Sequence, residues 1–98
     1  MIHELLAEGR ENARTGRDLA NYCGCNIRDI TEQIERERRQ GHPICAATGG
    51  ENPGYYLAAD EDELAHYCNN LRSRAIELFK TRQALVSVLR QLQATREV

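Results

Sequence analysis

The sequence predicts a mainly α-helical chain with one small β-hairpin, closed by a long C-terminal helix. Three observations carry this expectation. Apolar residues recur at three- and four-residue spacing through Ile34, a dense run of turn formers separates two short apolar runs at 48–54, and neither Gly nor Pro occurs from Asp60 to Leu92. At 98 residues and 41% apolar content the chain is the size of a single domain. Its aromatics are Tyr22, Tyr55, Tyr56, Tyr67 and Phe79, so Leu, Ile, Val and Ala must build most of the core. The expected layout is a compact domain over residues 1–59 and a helix over 60–98 for packing and dimerisation.

Ile2, Leu5 and Leu6 have helical spacing and run into Gly9, which predicts a short helix over 2–8 with a glycine C-cap, then a loop at 10–14. Thr15 suits the N-cap of a second short helix through Tyr22, offering Leu19, Ala20 and Tyr22 to the core, and Gly24 breaks it. Asn26 caps a third helix to about Gly41. Its stripe of Ile27, Ile30 and Ile34 faces inward while Arg28, Asp29, Glu32, Gln33 and Arg36 point away. Two helices across a tight glycine turn, the second with a polar outer face, form the pattern of a helix-turn-helix. Ile44-Cys45-Ala46-Ala47 and Tyr55-Tyr56-Leu57-Ala58 flank the turn-rich stretch and predict a hairpin, the wing of a winged helix-turn-helix.

Asp60 can cap the final helix, Glu63 stands at the capping-box position, and the acids between them match the positive end of the helix dipole. The helix should run about 30 residues, or about 45 Å at its per-residue rise. Leu64, Leu71, Leu78, Leu85 and Leu92 recur every seventh residue, with Cys68, Ala75, Arg82 and Leu89 at the intervening core positions, so the helix is coiled-coil-like. Leu64 to Leu78, with Tyr67, is expected to pack on the three-helix core. Beyond it, Leu78, Leu85, Leu89 and Leu92, with Val86 beside them, are left for a homodimer, and residues 93–98 are expected to fray.

Segment 15–58 resembles the N-terminal DNA-binding domain of bacterial biotin repressors. The residues that carry the resemblance are Thr-Gly-Arg-Asp-Leu-Ala at 15–20, Gly24 in the turn, Ile30 and Ile34, Gly41, and Gly54-Tyr55-Tyr56-Leu57. It implies that helix 26–40 enters the major groove and that the hairpin touches backbone or minor groove. Nothing matches the ligase domain of those repressors, so their biotin chemistry does not transfer, and the wing carries Glu51 but no Lys or Arg. In architecture the chain is also similar to small regulators and accessory proteins of bacteria, phages and mobile elements.

With a formal net charge of −2, bulk electrostatics cannot hold nucleic acid, and a local patch must do so. Twelve of the thirteen bases are Arg, the side chain suited to bidentate contact with phosphate or guanine. Reach selects Arg28, Gln33, Arg36 and Arg39 for base edges or nearby phosphates, with Thr15, Arg17 and Asn26 placing the DNA backbone. The competing reading makes Arg28, Asp29, Glu32, Glu35 and Arg36 solvated pairs on a helix of near-zero net charge. The expected function is sequence-specific binding of double-stranded DNA by a dimeric transcriptional regulator. The alternatives are a protein-interaction adapter and a replication or packaging accessory factor of a phage or mobile element.

Other chemistries find little support. Cys23, Cys25, His42 and Cys45 supply four zinc-ligand types, but the single residue between Cys23 and Cys25 is short for a structural site. Cys23 is therefore read as filling the core beneath the turn and Cys45 as pointing inward from the first strand. His3, His42 and His66 have no nucleophile at a recognised spacing, Thr48-Gly49-Gly50-Glu51 lacks the rest of a P-loop, and the acids at 60–63 lack the alternation of a calcium loop. Neither an enzyme, a cofactor nor a small-molecule substrate is expected. The N-terminus lacks the basic region of a signal peptide and no membrane-length apolar run occurs, so a cytoplasmic protein with reduced thiols is expected.

Overall fold

The structure, a computed structural model, describes residues 1–96. Two 3-10 turns, Ile2–Leu5 and Arg10–Asn12, precede helix α1, Gly16–Cys23, and helix α2, Ile27–Arg39. Strands β1, Ile44–Ala47, and β2, Gly54–Leu57, follow, and helix α3 runs Glu61–Arg96. Met1–Tyr67 forms one compact unit, and the remainder of α3 from Cys68 is a second.

Local chemistry sets these boundaries. Thr15 Oγ1 accepts the Asp18 backbone N–H at 3.0 Å and starts α1. Gly24 ends it in the left-handed conformation (φ 69°, ψ 36°). A capping box opens α2: the Asn26 side chain accepts the Asp29 N–H at 2.8 Å, and Asp29 accepts the Asn26 N–H at 3.4 Å. A variant of this cap opens α3, where Asp60 accepts the Glu63 N–H at 2.8 Å and Glu63 accepts the N–H of Ala59, the residue before the cap, at 3.1 Å.

β1 and β2 pair antiparallel with Ile44 opposite Leu57 and Ala47 opposite Gly54. The outer edge of β2 is also paired. Tyr55 and Arg14 exchange backbone hydrogen bonds of 2.7 and 2.9 Å, Gly9 donates to Leu57 at 2.9 Å, and Leu57 donates to Ala7 at 2.9 Å. Segment 7–14 thus covers an edge that would otherwise be open to pairing with another chain. Ile2, Leu6, Leu19, Ala20, Ile30, Ile34 and Ile44 form the main core, with Leu5, Tyr55 and Leu57 against it. Cys45, Tyr56 and Tyr67 form a second cluster with Leu64.

Several expectations need correction. Residues 2–8 are not an α-helix, because after the 3-10 turn the chain extends at Leu6 and residues 7–9 pair with Leu57 of β2, while the Ile2 and His3 N–H groups donate to the Glu37 carboxylate. Gly9 begins the second 3-10 turn instead of capping a helix. Tyr22 is 68% exposed, lying beneath the Arg14 guanidinium at 5.5 Å, and Ile27, at the first turn of α2, is 48% exposed. Cys23 is exposed because Gly24 turns the chain before anything covers the end of α1, whereas Cys45 is buried as expected. Packing by α3 stops at Tyr67: Leu71 and Leu78 are exposed, and among residues 68–96 only Val86 is even half-buried. Residues 93–96 are helical, and the rest of the segment expected to fray, 97–98, lies outside the described residues. Among the described residues, no helix is long and apolar enough to cross a membrane.

Candidate nucleic-acid interface

α2 buries Ile30, Ile34 and Glu37, so its opposite side is the surface left to solvent. At 3.6 residues per turn the outermost line holds Arg28, Glu32, Glu35 and Arg39, with Arg36 and Asp29 along one flank. Arg28 Nε meets Glu32 at 3.2 Å, and Arg38 meets Glu35 at 2.7 Å. The Arg28 pair is wholly at the surface, where such pairs contribute little, so a phosphate can replace the carboxylate at small cost. Arg38 is committed inward: its Nε donates to the Ile44 carbonyl at 2.8 Å and its Nη2 to the Tyr67 hydroxyl at 2.9 Å.

Glu37 was missed by sequence reasoning. Its side chain has no exposure, and Oε1 accepts the His3 N–H at 2.7 Å and His3 Nδ1 at 2.6 Å. Oε2 accepts the Ile2 N–H and the Gln33 amide, both at 2.8 Å. Burial alone would push this carboxyl up. The donors, led by the His3 N–H and followed by Gln33, Ile2 and the His3 ring, outweigh it and hold the group down at about 2. The His3 ring also stacks on His42, with centroids 3.6 Å apart. The available signal was spacing, since residue 37 continues the stripe of Ile30 and Ile34 at three and seven residues.

This buried carboxylate governs part of the outer face. An ionised carboxylate only accepts, so Gln33 must turn its NH2 toward Glu37 and its carbonyl oxygen toward Arg36. That oxygen receives Arg36 Nε at 3.1 Å and Nη2 at 2.7 Å. Gln33 is consequently half-buried instead of pointing away, and it positions Arg36. With Glu37 internal and Arg38 turned inward, three exposed arginines, Arg28, Arg36 and Arg39, stand against three accessible acids, Asp29, Glu32 and Glu35, on the outer side of α2.

Arg17, Arg36 and Arg39 are exposed, and Thr15 and Asn26 sit at the two helix N-termini as caps. The turn Gly24-Cys25-Asn26 brings α1 and α2 together over Leu19, Ala20, Ile30 and Ile34. The hairpin loop lacks a base in sequence but has one in space, because Arg10 lines a shallow surface recess with Glu11, Glu51 and Asn52. The four zinc-ligand candidates separate: Cys23 and Cys25 lie exposed at the turn while Cys45 is buried. Among the described residues no group of three or more His, Cys, Asp or Glu is placed to hold a metal ion.

Charge divides unevenly along the chain. Residues 1–67 hold seven arginines against thirteen acids, and residues 68–98 hold six cations against two acids. On the candidate dimerisation surface Leu78, Leu85, Leu89 and Leu92 are 72%, 64%, 50% and 61% exposed. These values leave an apolar line on α3 with no cover from the described residues. Comparison with known proteins finds no match among family models, curated proteins or solved structures.

Proposed function

We propose that the protein is a sequence-specific double-stranded DNA-binding regulator of the winged helix-turn-helix kind, dimeric through α3. The observation that carries this reading is α2 itself. It is a 13-residue helix, capped, held against α1 by a three-residue turn, with Arg28, Arg36 and Arg39 on its solvent side. A helix of this kind fits the major groove, where guanidinium groups reach guanine edges and phosphates. Thr15, Arg17 and Asn26 lie at helix starts, suited to the DNA backbone, with the hairpin and Arg10 beside it.

The experiment is selection of bound duplexes from a randomised pool, followed by Arg36→Gln against the selected site. Enrichment of a defined sequence is expected, with the variant losing about 1–3 kcal/mol of discrimination at one base position. No enrichment, or an unaltered preference in the variant, refutes the reading. A second reading, a protein-interaction adapter, is favoured by the thirteen acids of residues 1–67. It expects no binding to any duplex.

A further inference from the structure

We infer that the flank of α3 bearing Arg72, Lys80, Arg82 and Arg90 is a second surface for nucleic acid, one that holds the phosphate backbone independently of α2. The inference rests on the DNA reading above, but not on α2 being the element that reads bases.

Electrostatics pose the problem this surface answers. The acid excess of residues 1–67 opposes the approach of a polyanion, and the few exposed arginines of α2 must work against it. Residues 68–96 carry the compensating charge: six cations and one acid. Their placement is ordered. Arg72 and Arg90 are five helical turns apart and so share one line, about 27 Å long at 1.5 Å per residue, with Lys80 and Arg82 about 80° to either side of it. All four are exposed, and among residues 68–96 no acid lies on that half of the helix; Glu61 and Asp62 fall on it, but about three turns before Arg72. Glu77 lies beyond Lys80, to which it pairs at 3.2 Å.

That line is as long as roughly eight phosphate steps of one DNA strand. The occupant is nucleic acid and not a lipid surface for a reason visible in the apolar face. Arg74 and Arg82 stand at the margins of the leucine line, and Arg96 stands within it, so a helix laid into acyl chains would carry guanidinium groups with it. The centre of the leucine line falls about 120° around the helix from the Arg72–Arg90 line, so a second copy on the leucines leaves Arg72, Lys80 and Arg90 open, with Arg82 at the edge of the seam and only its guanidinium free to reach a phosphate.

The test uses the full chain with Arg72, Lys80, Arg82 and Arg90 all changed to Gln, which preserves helix propensity and is verified by circular dichroism. Affinity for a random duplex is measured across a salt series beside wild type and an Arg28→Gln/Arg36→Gln variant. The slope of log affinity on log salt should fall by about 2–4 in the α3 variant, while its preference for a selected site over a scrambled one is retained. An unchanged slope and unchanged random-duplex affinity overturn the inference. So does α3-dependent binding to vesicles containing phosphatidylserine with no effect on DNA. If the α2 variant keeps its sequence preference while the α3 variant loses slope, the groove reading fails and this inference stands. If wild type binds no duplex, both fall.

Discussion

A fully buried carboxylate is tolerated at position 37 because four donors meet it, two of them backbone N–H groups at the start of the chain. Its effect on stability is tied to pH. Glu37 titrates near 4.5 when unfolded and about 2 when folded, so its stabilising contribution is complete above about 4.5 and is lost as the pH falls from there toward 2. Glu37→Gln should cost about 1–3 kcal/mol at pH 7, because its NH2 would meet donors instead of accepting from them. The wild-type minus variant difference should shrink on acidification to pH 3, as read by urea unfolding. A difference independent of pH would show that Glu37 is not ionised in the fold. The glutamate was absent from the expected core because burial of a charge becomes intelligible only once its partners, 34 and 35 residues distant, are known.

At the level of elements, most caps and breakers and the hairpin were legible, and the longer-range pairing was not. Thr15, Gly24, Asn26 and Asp60 act within a few residues of themselves, so local chemistry predicts their helix ends. The pairing of residues 7–14 with β2 depends on segments over 40 residues away, and no local pattern announces it. Gly54 is where this pairing is most exposed to mutation: it has φ 131°, and a Cβ there would run into the Arg14 carbonyl. Gly54→Ala should therefore cost more than the about 1–3 kcal/mol of backbone strain alone. Gly24→Ala, with open space around it, should cost only about 1–2 kcal/mol. Equal urea midpoints for the two variants would contradict this account of the β2 edge.

For the whole molecule, the open question raised by the leucine heptad is what covers it. The exposure of Leu78, Leu85, Leu89 and Leu92 supports pairing of two copies through α3, with Arg82 reaching past the seam toward solvent. Leu85→Asp with Leu89→Asp should convert a dimer into a monomer by light scattering at tens of micromolar, with the unfolding of residues 1–67 little changed. A wild-type chain that is already monomeric at that concentration would remove the dimer from the proposal. The expectation that Leu71 and Leu78 pack on the core failed for a geometric reason. Tyr67, packed with Cys45 and Tyr56, is the last buried residue of α3, and Leu71 and Leu78 lie one and three turns beyond it in the second unit.

Periodicity and capping chemistry by themselves determined the class of the chain: two short helices about a glycine turn, a hairpin, and a long leucine-lined helix. These signals are written within one or two turns of chain, where sequence distance and spatial distance coincide. Tertiary structure alone decided that residues 2–5 are a 3-10 turn, that Glu37 is internal, that Gln33 serves Arg36, and that Arg10 stands beside the hairpin loop. Each of those follows from a donor, acceptor or neighbour remote in sequence, and burial becomes known only when the chain has folded back upon itself.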